Sequence, residues 1–124
     1  MIILDTSVLI RFFTRDDEFK AKKVKKLLES KEDLLLIDAV LMELVFTLMK
    51  VYKQSKSQIL KMLEFLLSRP NIQVSMKIKK AIKIYEDTNM SITDCLVVSY
   101  GEGNKIASFD EKLIKTKNVK SIWK

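Results

Sequence analysis

The alternation of short apolar runs with longer helical stretches is the feature that most constrains how this chain folds. Runs that suit buried strands occur at residues 2–5, 34–37, 72–75, 105–109 and 119–123. Between them lie segments in which apolar residues recur at the i, i+3 and i+4 spacing of an amphipathic helix. This order predicts an α/β fold with a mainly parallel central sheet of about five short strands flanked by helices, whose ligand sites lie beyond the carboxyl ends of the strands.

Helices are expected in the intervals between these runs. They are predicted from Thr6 to about Phe13, at 17–30, at 40–49 after an Asp38 cap, at 57–67, around 78–85, at 91–100 and after Asp110. Several begin at Ser or Asp, whose side-chain oxygens accept the unpaired N–H groups of a first helical turn.

The size and composition of the chain suit a single domain spanning residues 1–124. A chain of 124 residues buries roughly two-thirds of its unfolded surface around one core. The apolar run before Asp5 is too short for a signal peptide, and no run approaches the roughly 18 apolar residues of a membrane span. The lone Cys95 cannot form an internal disulfide. We therefore expect no membrane contact and a cytoplasmic location.

The charge pattern favours a polyanionic partner. Net charge is +7, and lysines crowd two helical faces, at residues 20–26 and 77–83. Lysine-rich surfaces also serve solubility, so charge alone leaves both interpretations open. Histidine is absent, which removes the commonest general base and zinc ligand and leaves carboxylates and metal to carry any hydrolysis.

Four acidic residues interrupt apolar surroundings and together suggest a metal site. Asp5 and Asp110 each follow a predicted strand, Asp94 stands at a helix start, and Glu43 lies inside an apolar helix. Each Asp also has an ordinary explanation as a helix cap, and Ser91 with Asp94 resembles a capping box. Glu43 is expected to be buried, where an unpaired charge costs several kcal/mol. A lysine partner for Glu43 is the alternative.

Convergent carboxylates need a cation, and their chemistry indicates which one. All-oxygen ligands prefer Mg²⁺ or Mn²⁺ over zinc. Such an ion can activate water and neutralise a scissile phosphate, so the matching reaction is phosphodiester hydrolysis. Thr6 or Ser7 can orient water or phosphate, although either hydroxyl can equally cap the first helix.

These motifs resemble those of PIN-domain ribonucleases, in order and over essentially the whole chain. The similar segments are residues 3–10, Leu41-Met-Glu-Leu44, Ile92-Thr-Asp-Cys-Leu96 and Ala107-Ser-Phe-Asp110. The small single-domain form resembles VapC toxins. The resemblance implies a single PIN-like domain with Mg²⁺-dependent endoribonuclease activity on RNA, a dimeric state and a cognate antitoxin.

Carried over by position, the resemblance makes Asp5 and Asp94 metal ligands, Glu43 the third acid and Asp110 the fourth. Lys112 stands where many relatives have another acidic or amide residue. The resemblance therefore supports a first metal site more than a second.

Two other functions remain open from sequence. A phosphoacceptor receiver-like signalling domain has similar alternation, with Asp38 as its acceptor, but it pairs two acids after the first strand and gives Glu43 no role. A non-catalytic PIN module that binds RNA or protein would keep the fold and the basic faces. Retention of all four acids argues against that module, because buried charges without a metal destabilise a scaffold.

The apolar helical pair at residues 39–67 predicts a homodimer contact. It carries more apolar surface than one buried face requires: Ile59, Leu60, Met62, Leu63, Phe65, Leu66 and Leu67.

Overall fold

The chain has an α/β architecture. A computed structural model describes residues 1–123, and over them it contains seven helices and a parallel sheet, as predicted. Contacts divide the chain into two compact units, Met1–Val74 and Ser75–Lys124. That the chain is a single domain over residues 1–124 stays a prediction, and Lys124 lies outside the described residues.

The sheet of the first unit contains three parallel strands in the order β1-β2-β3. These are β1 (Ile2–Ile3), β2 (Leu34–Leu35) and β3 (Ile72–Gln73). Ile2 is opposite Leu34, and Leu34 is opposite Ile72. Because the strands run parallel, the residues that follow them leave the sheet at the same edge, and Asp5 is one of these.

Four helices complete the first unit, and side-chain caps start three of them. They are α1 (Thr6–Thr14), α2 (Glu18–Leu28), α3 (Asp38–Lys50) and α4 (Lys56–Ser68). Asp5 caps α1, Asp17 caps α2, and Ser55 forms a reciprocal capping box with Gln58. The predicted Asp38 cap is wrong, because α3 begins at Asp38 itself and the preceding Ile37 has no side chain that can cap.

The core of the first unit includes contacts between its helices. Helix α1 contacts α2 and α3, and Phe12 stacks on Phe65 of α4 with 5.5 Å between ring centroids. The largest side chains of this unit that are no more than 1% exposed are Leu4, Leu9, Leu28, Leu34, Leu36, Leu41, Leu44, Leu48, Ile59, Leu63 and Leu66. Each such side chain stabilises the fold by about 1.5–3 kcal/mol relative to exposure.

The second unit is mainly helical. It contains α5 (Met76–Asp87), α6 (Ile92–Tyr100) and the short α7 (Glu111–Ile114). Helices α5 and α6 pack together, and Ser75 and Ser91 cap them. Cys95 is fully buried in α6, as its apolar neighbours predicted.

The strand count is smaller than the predicted five. The runs at 105–109 and 119–123 form only one isolated parallel bridge, between Ile106 and Ser121. Ile106 is the one buried side chain of the run at 105–109. The first strand also differs, since Ile2 is 39% and Ile3 59% exposed where a buried strand was expected. In the order β1-β2-β3, β1 is an edge strand of the described sheet.

None of the helices in the described part of the chain has both the length and the apolar character needed to cross a membrane.

Candidate active site

Asp5 is exposed at the junction of β1 and α1, where it is the N-cap residue. Its Oδ2 accepts hydrogen bonds from the Ser7 hydroxyl at 2.6 Å and from the Ser7 backbone N–H at 3.2 Å. The Ser7 hydroxyl is the main cause that lowers the pKa of Asp5 below its ordinary value of 3.8. Asp5 is therefore ionised at neutral pH, and both of these bonds fall on a single oxygen.

The two hydroxyls after Asp5 have different environments. Ser7 is exposed and bonded to Asp5. Thr6 is only 6% exposed, and its Oγ1 has no hydrogen-bond partner among residues 1–123. A buried hydroxyl without a hydrogen-bond partner destabilises the folded state by about 1–3 kcal/mol. A hydrogen bond to a ligand atom or to water would remove this cost for Thr6.

Glu43 lies in the middle of α3 and is exposed, which makes the prediction of a buried Glu43 wrong. The core face of α3 carries Leu41, Leu44 and Leu48, which recur at helical spacing. Residues adjacent in sequence point in different directions on a helix, so the apolar neighbours of Glu43 do not enclose it. Within the described residues its carboxylate has no hydrogen bond or ion pair, and the alternative of a lysine partner is not observed.

Asp94 is half-buried in the first turn of α6. Its backbone N–H donates to the Ser91 hydroxyl at 3.2 Å, which is one half of the predicted capping box. The reciprocal bond from Ser91 N–H to the Asp94 carboxylate is not formed, and in the described part of the chain that carboxylate has no other hydrogen bond or ion pair. The Asp94 side chain is therefore partly shielded from solvent and has no polar partner among the described residues.

Asp110 is exposed at the N-cap of α7, as predicted. Its Oδ1 accepts from the backbone N–H groups of Lys112 at 3.0 Å and Leu113 at 3.2 Å. Its own N–H donates to the Ser108 hydroxyl at 3.0 Å. These bonds fix the orientation of the Asp110 side chain and also cap the N-terminus of α7.

The four acids are divided between the two units, with Asp5 and Glu43 in the first and Asp94 and Asp110 in the second. Among residues 1–123, no group of three or more Asp, Glu or Cys side chains is gathered in a way that could hold a metal ion. Convergence of the four acids on one ion therefore stays a prediction.

The comparison with known proteins identifies the family. Residues 2–119 match the PIN domain, which is nearly the whole chain. The chain is a member of the PIN-domain family. It is also 31% identical over 102 residues to a VapC ribonuclease of Aquifex aeolicus (strain VF5), an alignment that covers 77% of this chain and 75% of that protein. The resemblance predicted from the motifs is confirmed.

Each of the two basic faces of this PIN-domain chain contains paired and unpaired lysines. On α5, Lys80 pairs with Glu102, and Lys83 pairs with Glu86 and Asp87. On α2, Lys20 pairs with Asp17, and Lys25 pairs with Glu29. Lysines without an ion pair within the described chain include Lys22 and Lys26 on α2 and Lys79 on α5.

A groove between α1 and α2 begins next to Asp5. It has a volume of about 440 Å³ and is lined by Ser7, Val8, Arg11, Lys20, Lys23, Val24 and Leu27. The basic face of α2 thus borders a groove that extends from the first of the acids. Sequence periodicity predicted the lysine face but gave no signal for the groove, which depends on how two helices pack.

Sequence reasoning also missed an aromatic pair in the second unit. Phe109 and Trp123 stack with ring centroids 4.7 Å apart and an interplanar angle of 2°. Phe109 is 85% exposed and directly precedes Asp110. Both residues were predicted only as ends of strands, and no local pattern indicates that the two rings meet.

Proposed function

We propose that this PIN-domain protein is a Mg²⁺- or Mn²⁺-dependent endoribonuclease that hydrolyses internal phosphodiester bonds of RNA. The observation that carries the proposal is the match to the PIN domain over residues 2–119, a span that includes all four acids. The similarity to a VapC ribonuclease supports RNA as the substrate. The net charge of +7 supports a polyanionic partner.

The proposed metal site consists of Asp5, Glu43, Asp94 and Asp110. The donor set fits a hard divalent cation, because every donor is a carboxylate and the chain has no histidine. Glu43 and Asp94 support the proposal further, since neither carboxylate has a hydrogen bond or ion pair among residues 1–123. When bound, the ion supplies charge neutralisation at the phosphate and a lowered pKa of the attacking water.

The side chains of this chain have separate tasks in the proposed reaction. Asp5 is held in one orientation by Ser7, which keeps an ionised oxygen at the edge of the sheet. Asp110 is fixed by the first turn of α7. Glu43 and Asp94 are the carboxylates free to accept a proton from water or to bind the ion. Thr6, with its unpaired buried hydroxyl, and Ser7 are proposed to contact the substrate phosphate or water.

The biological setting proposed is that of a toxin. A VapC-like protein is expected to be cytoplasmic and to be restrained by a cognate antitoxin, and the similarity to a VapC ribonuclease supports this. Recognition of a particular RNA and of the antitoxin is expected to depend on surfaces outside the four acids.

A homodimer through residues 39–67 is part of the proposal. Ile59, Leu63 and Leu66 are buried within the protein's own core, so they cannot form the contact. The most exposed apolar side chains of this segment are Val51 at 67%, Phe46 at 60% and Met49 at 40% exposure. We expect light scattering after size exclusion to report a dimer at micromolar concentration, and Phe46→Glu to give a monomer. A wild-type monomer over that range would contradict the dimer.

The decisive experiment compares cleavage of total RNA by wild type and Asp94→Asn, with Mg²⁺, with Mn²⁺ and with chelator. Wild type should cleave with either metal and lose activity with chelator, and Asp94→Asn should be inactive in all arms. Asp87→Asn is the matched control, since Asp87 is an exposed acid whose contact is an ion pair with Lys83, and it should cleave like wild type. Cleavage that survives both chelation and Asp94→Asn would contradict metal catalysis.

One alternative has an observation in its favour. A PIN module that binds RNA without cleaving it agrees with the finding that no three acids are gathered for a metal among residues 1–123. RNA binding without cleavage in either metal would select this alternative. The receiver-like alternative loses its support, because the chain belongs to the PIN-domain family and Asp38 lies in the first turn of α3.

A further inference from the structure

An exposed aromatic pair lies next to one of the proposed catalytic acids. Phe109 directly precedes Asp110, and its ring stacks parallel to that of Trp123 at 4.7 Å between centroids. The Phe109 side chain is 85% exposed although Trp123 covers part of it, so its outer face is open to solvent. Large apolar side chains are usually buried, so an exposed stacked pair beside a functional residue suggests a contact surface.

Backbone contacts hold the two rings in place. Ile106 donates its N–H to the Lys120 carbonyl at 2.7 Å, and Ile122 donates to the Ile106 carbonyl at 3.0 Å. These bonds form the parallel bridge that ties the Phe109 segment to the Trp123 segment. Trp123 donates its N–H to the Ser121 hydroxyl at 3.1 Å, and Asp110 donates to Ser108. The aromatic pair is therefore ordered before any ligand arrives.

The charge around the pair favours an anionic partner. Lys105 and Lys120 lie in the two bridged segments, and Lys112 lies in α7 two residues after Asp110. All three are exposed and form no ion pair among the described residues. Aromatic rings combined with unpaired lysines are typical of surfaces that bind single-stranded nucleic acid, in which bases stack and phosphates contact cations.

We propose that Phe109, backed by Trp123, stacks an RNA base next to Asp110 and so positions the RNA strand for cleavage. The inference rests on the proposed ribonuclease function. It deepens that function by assigning a base-stacking residue outside the four acids. Bases in a duplex are already stacked on their neighbours, and an A-form helix does not offer them to a protein ring.

Trp123 gives a direct readout of binding, because it is the only tryptophan of the chain and is 46% exposed. A nucleobase stacked on the pair should quench its emission. We would titrate the full-length protein with a short single-stranded RNA of mixed sequence and with the same sequence as a duplex. Both titrations are run with chelator and with Ca²⁺ in place of Mg²⁺, so that binding is measured without cleavage.

Single-stranded RNA should quench Trp123 and bind at least several-fold more tightly than duplex. Phe109→Ala should weaken binding of single-stranded RNA by roughly 5- to 150-fold, the range observed when a stacking aromatic is removed. Phe109→Tyr should restore binding, and Phe109→Leu, which is apolar but cannot stack as a flat ring, should not. Phe19→Ala is the matched control, because Phe19 is also 70% exposed, and it should change affinity less than about twofold.

Equal binding of single strand and duplex, or unchanged affinity in Phe109→Ala, would overturn the inference. Absence of RNA binding both with chelator and with Ca²⁺ would overturn the inference as well, and it would indicate a protein partner for the aromatic surface. The failure of the proposed function is distinguishable: RNA binding that depends on Phe109, without cleavage in Mg²⁺ or Mn²⁺, would reject the nuclease and retain the stacking surface.

Discussion

The four acids fall into two pairs, of which one caps helices and the other does not. Asp5 and Asp110 cap helices, and their oxygens accept hydrogen bonds from the first turns of α1 and α7. Glu43 and Asp94 lie within helices, and in residues 1–123 their carboxylates have no hydrogen bond or ion pair. Each of the two compact units contains one acid of each kind.

The contrast between these two pairs helps to distinguish an acid that stabilises the fold from an acid that is present for function. A capping acid stabilises its helix whether or not a ligand binds, so its presence alone says little about function. An acid without a hydrogen-bond or ion-pair partner in the described chain, such as Glu43 or Asp94, does not stabilise its helix through a cap. Substitution of the capping acids should therefore affect both stability and activity, whereas substitution of Glu43 or Asp94 should affect activity alone.

The largest expected effect is on catalysis by variants of the unpartnered acids. Glu43→Gln and Asp94→Asn should each lower the cleavage rate by at least about 100-fold, the upper end of the loss seen when even an indirect ligand contact of a metal is removed. Their melting temperatures should stay within about 2 °C of wild type, because neither substitution removes a hydrogen bond.

Glu64→Gln is the control for this pair, since Glu64 is another exposed helical glutamate without an ion pair among residues 1–123. It should retain wild-type activity. If Glu43→Gln or Asp94→Asn destabilised the protein by several degrees, the division between the two pairs of acids would be wrong.

Two substitutions of Asp110 should separate the contribution of its helix cap to stability from the contribution of its charge to activity. Asp110→Ala should destabilise the protein by about 0.5–2 kcal/mol, whereas Asp110→Asn should have little effect, because Asn caps a helix nearly as well as Asp. Both should lower activity. Asp17→Ala removes the α2 cap, which accepts from Lys20 N–H at 3.0 Å, and should lower stability without lowering catalysis. Denaturant unfolding and cleavage assays measure the two effects separately.

Unpaired and paired lysines of the two basic faces should differ in RNA binding. Lys22→Gln with Lys26→Gln on α2 should lower the slope of log affinity against log salt by about 0.7 for each RNA phosphate that these lysines no longer neutralise. Lys80→Gln with Lys83→Gln on α5 should change the slope less, because Lys80 is paired with Glu102 and Lys83 with Glu86 and Asp87. Equal changes in the two double variants would show that these ion pairs do not influence RNA binding.

The smallest effect concerns the ionisation of Asp5. Ser7→Ala removes the hydroxyl that does most to lower the pKa of Asp5, so this pKa should rise toward 3.8. A lowered folded-state pKa stabilises the protein above the unfolded value, and this contribution disappears as pH falls through the folded value. Ser7→Ala should therefore be slightly less stable than wild type above about pH 4, and this difference should vanish as pH falls through the folded-state pKa of Asp5. Side-chain NMR titration of Asp5 measures the shift, and an unchanged pKa would contradict the assigned role of Ser7.

The alternation of apolar runs predicted the fold class because it reflects which faces must be buried. The caps at Asp5 and Asp110 were also predictable, because an Asp directly before a predicted helix is a local sequence pattern. It failed at Glu43, because apolar neighbours along a helix are not neighbours of that side chain in space. At the last two predicted strands, apolar character did not produce a strand, and the two runs form only the bridge between Ile106 and Ser121.

Features that depend on packing between distant segments could not be predicted from periodicity. The stacking of Phe109 on Trp123 arises from a bridge that joins two irregular segments. The groove between α1 and α2 depends in the same way on how their faces meet. For the candidate site, sequence named the acids, and the structure added which of them already have hydrogen-bond partners.

The proposal that Asp5, Glu43, Asp94 and Asp110 bind one divalent ion is tested most directly by Mn²⁺ binding. Electron paramagnetic resonance would measure the Mn²⁺ affinity of wild type, Asp5→Asn, Asp94→Asn and the double variant. Each single substitution should weaken binding at least about 10-fold, and the double variant should weaken it by less than the product of the two, because both residues serve the same ion. Mn²⁺ binding that is unaffected by either substitution, or affected by only one of them, would contradict the claim.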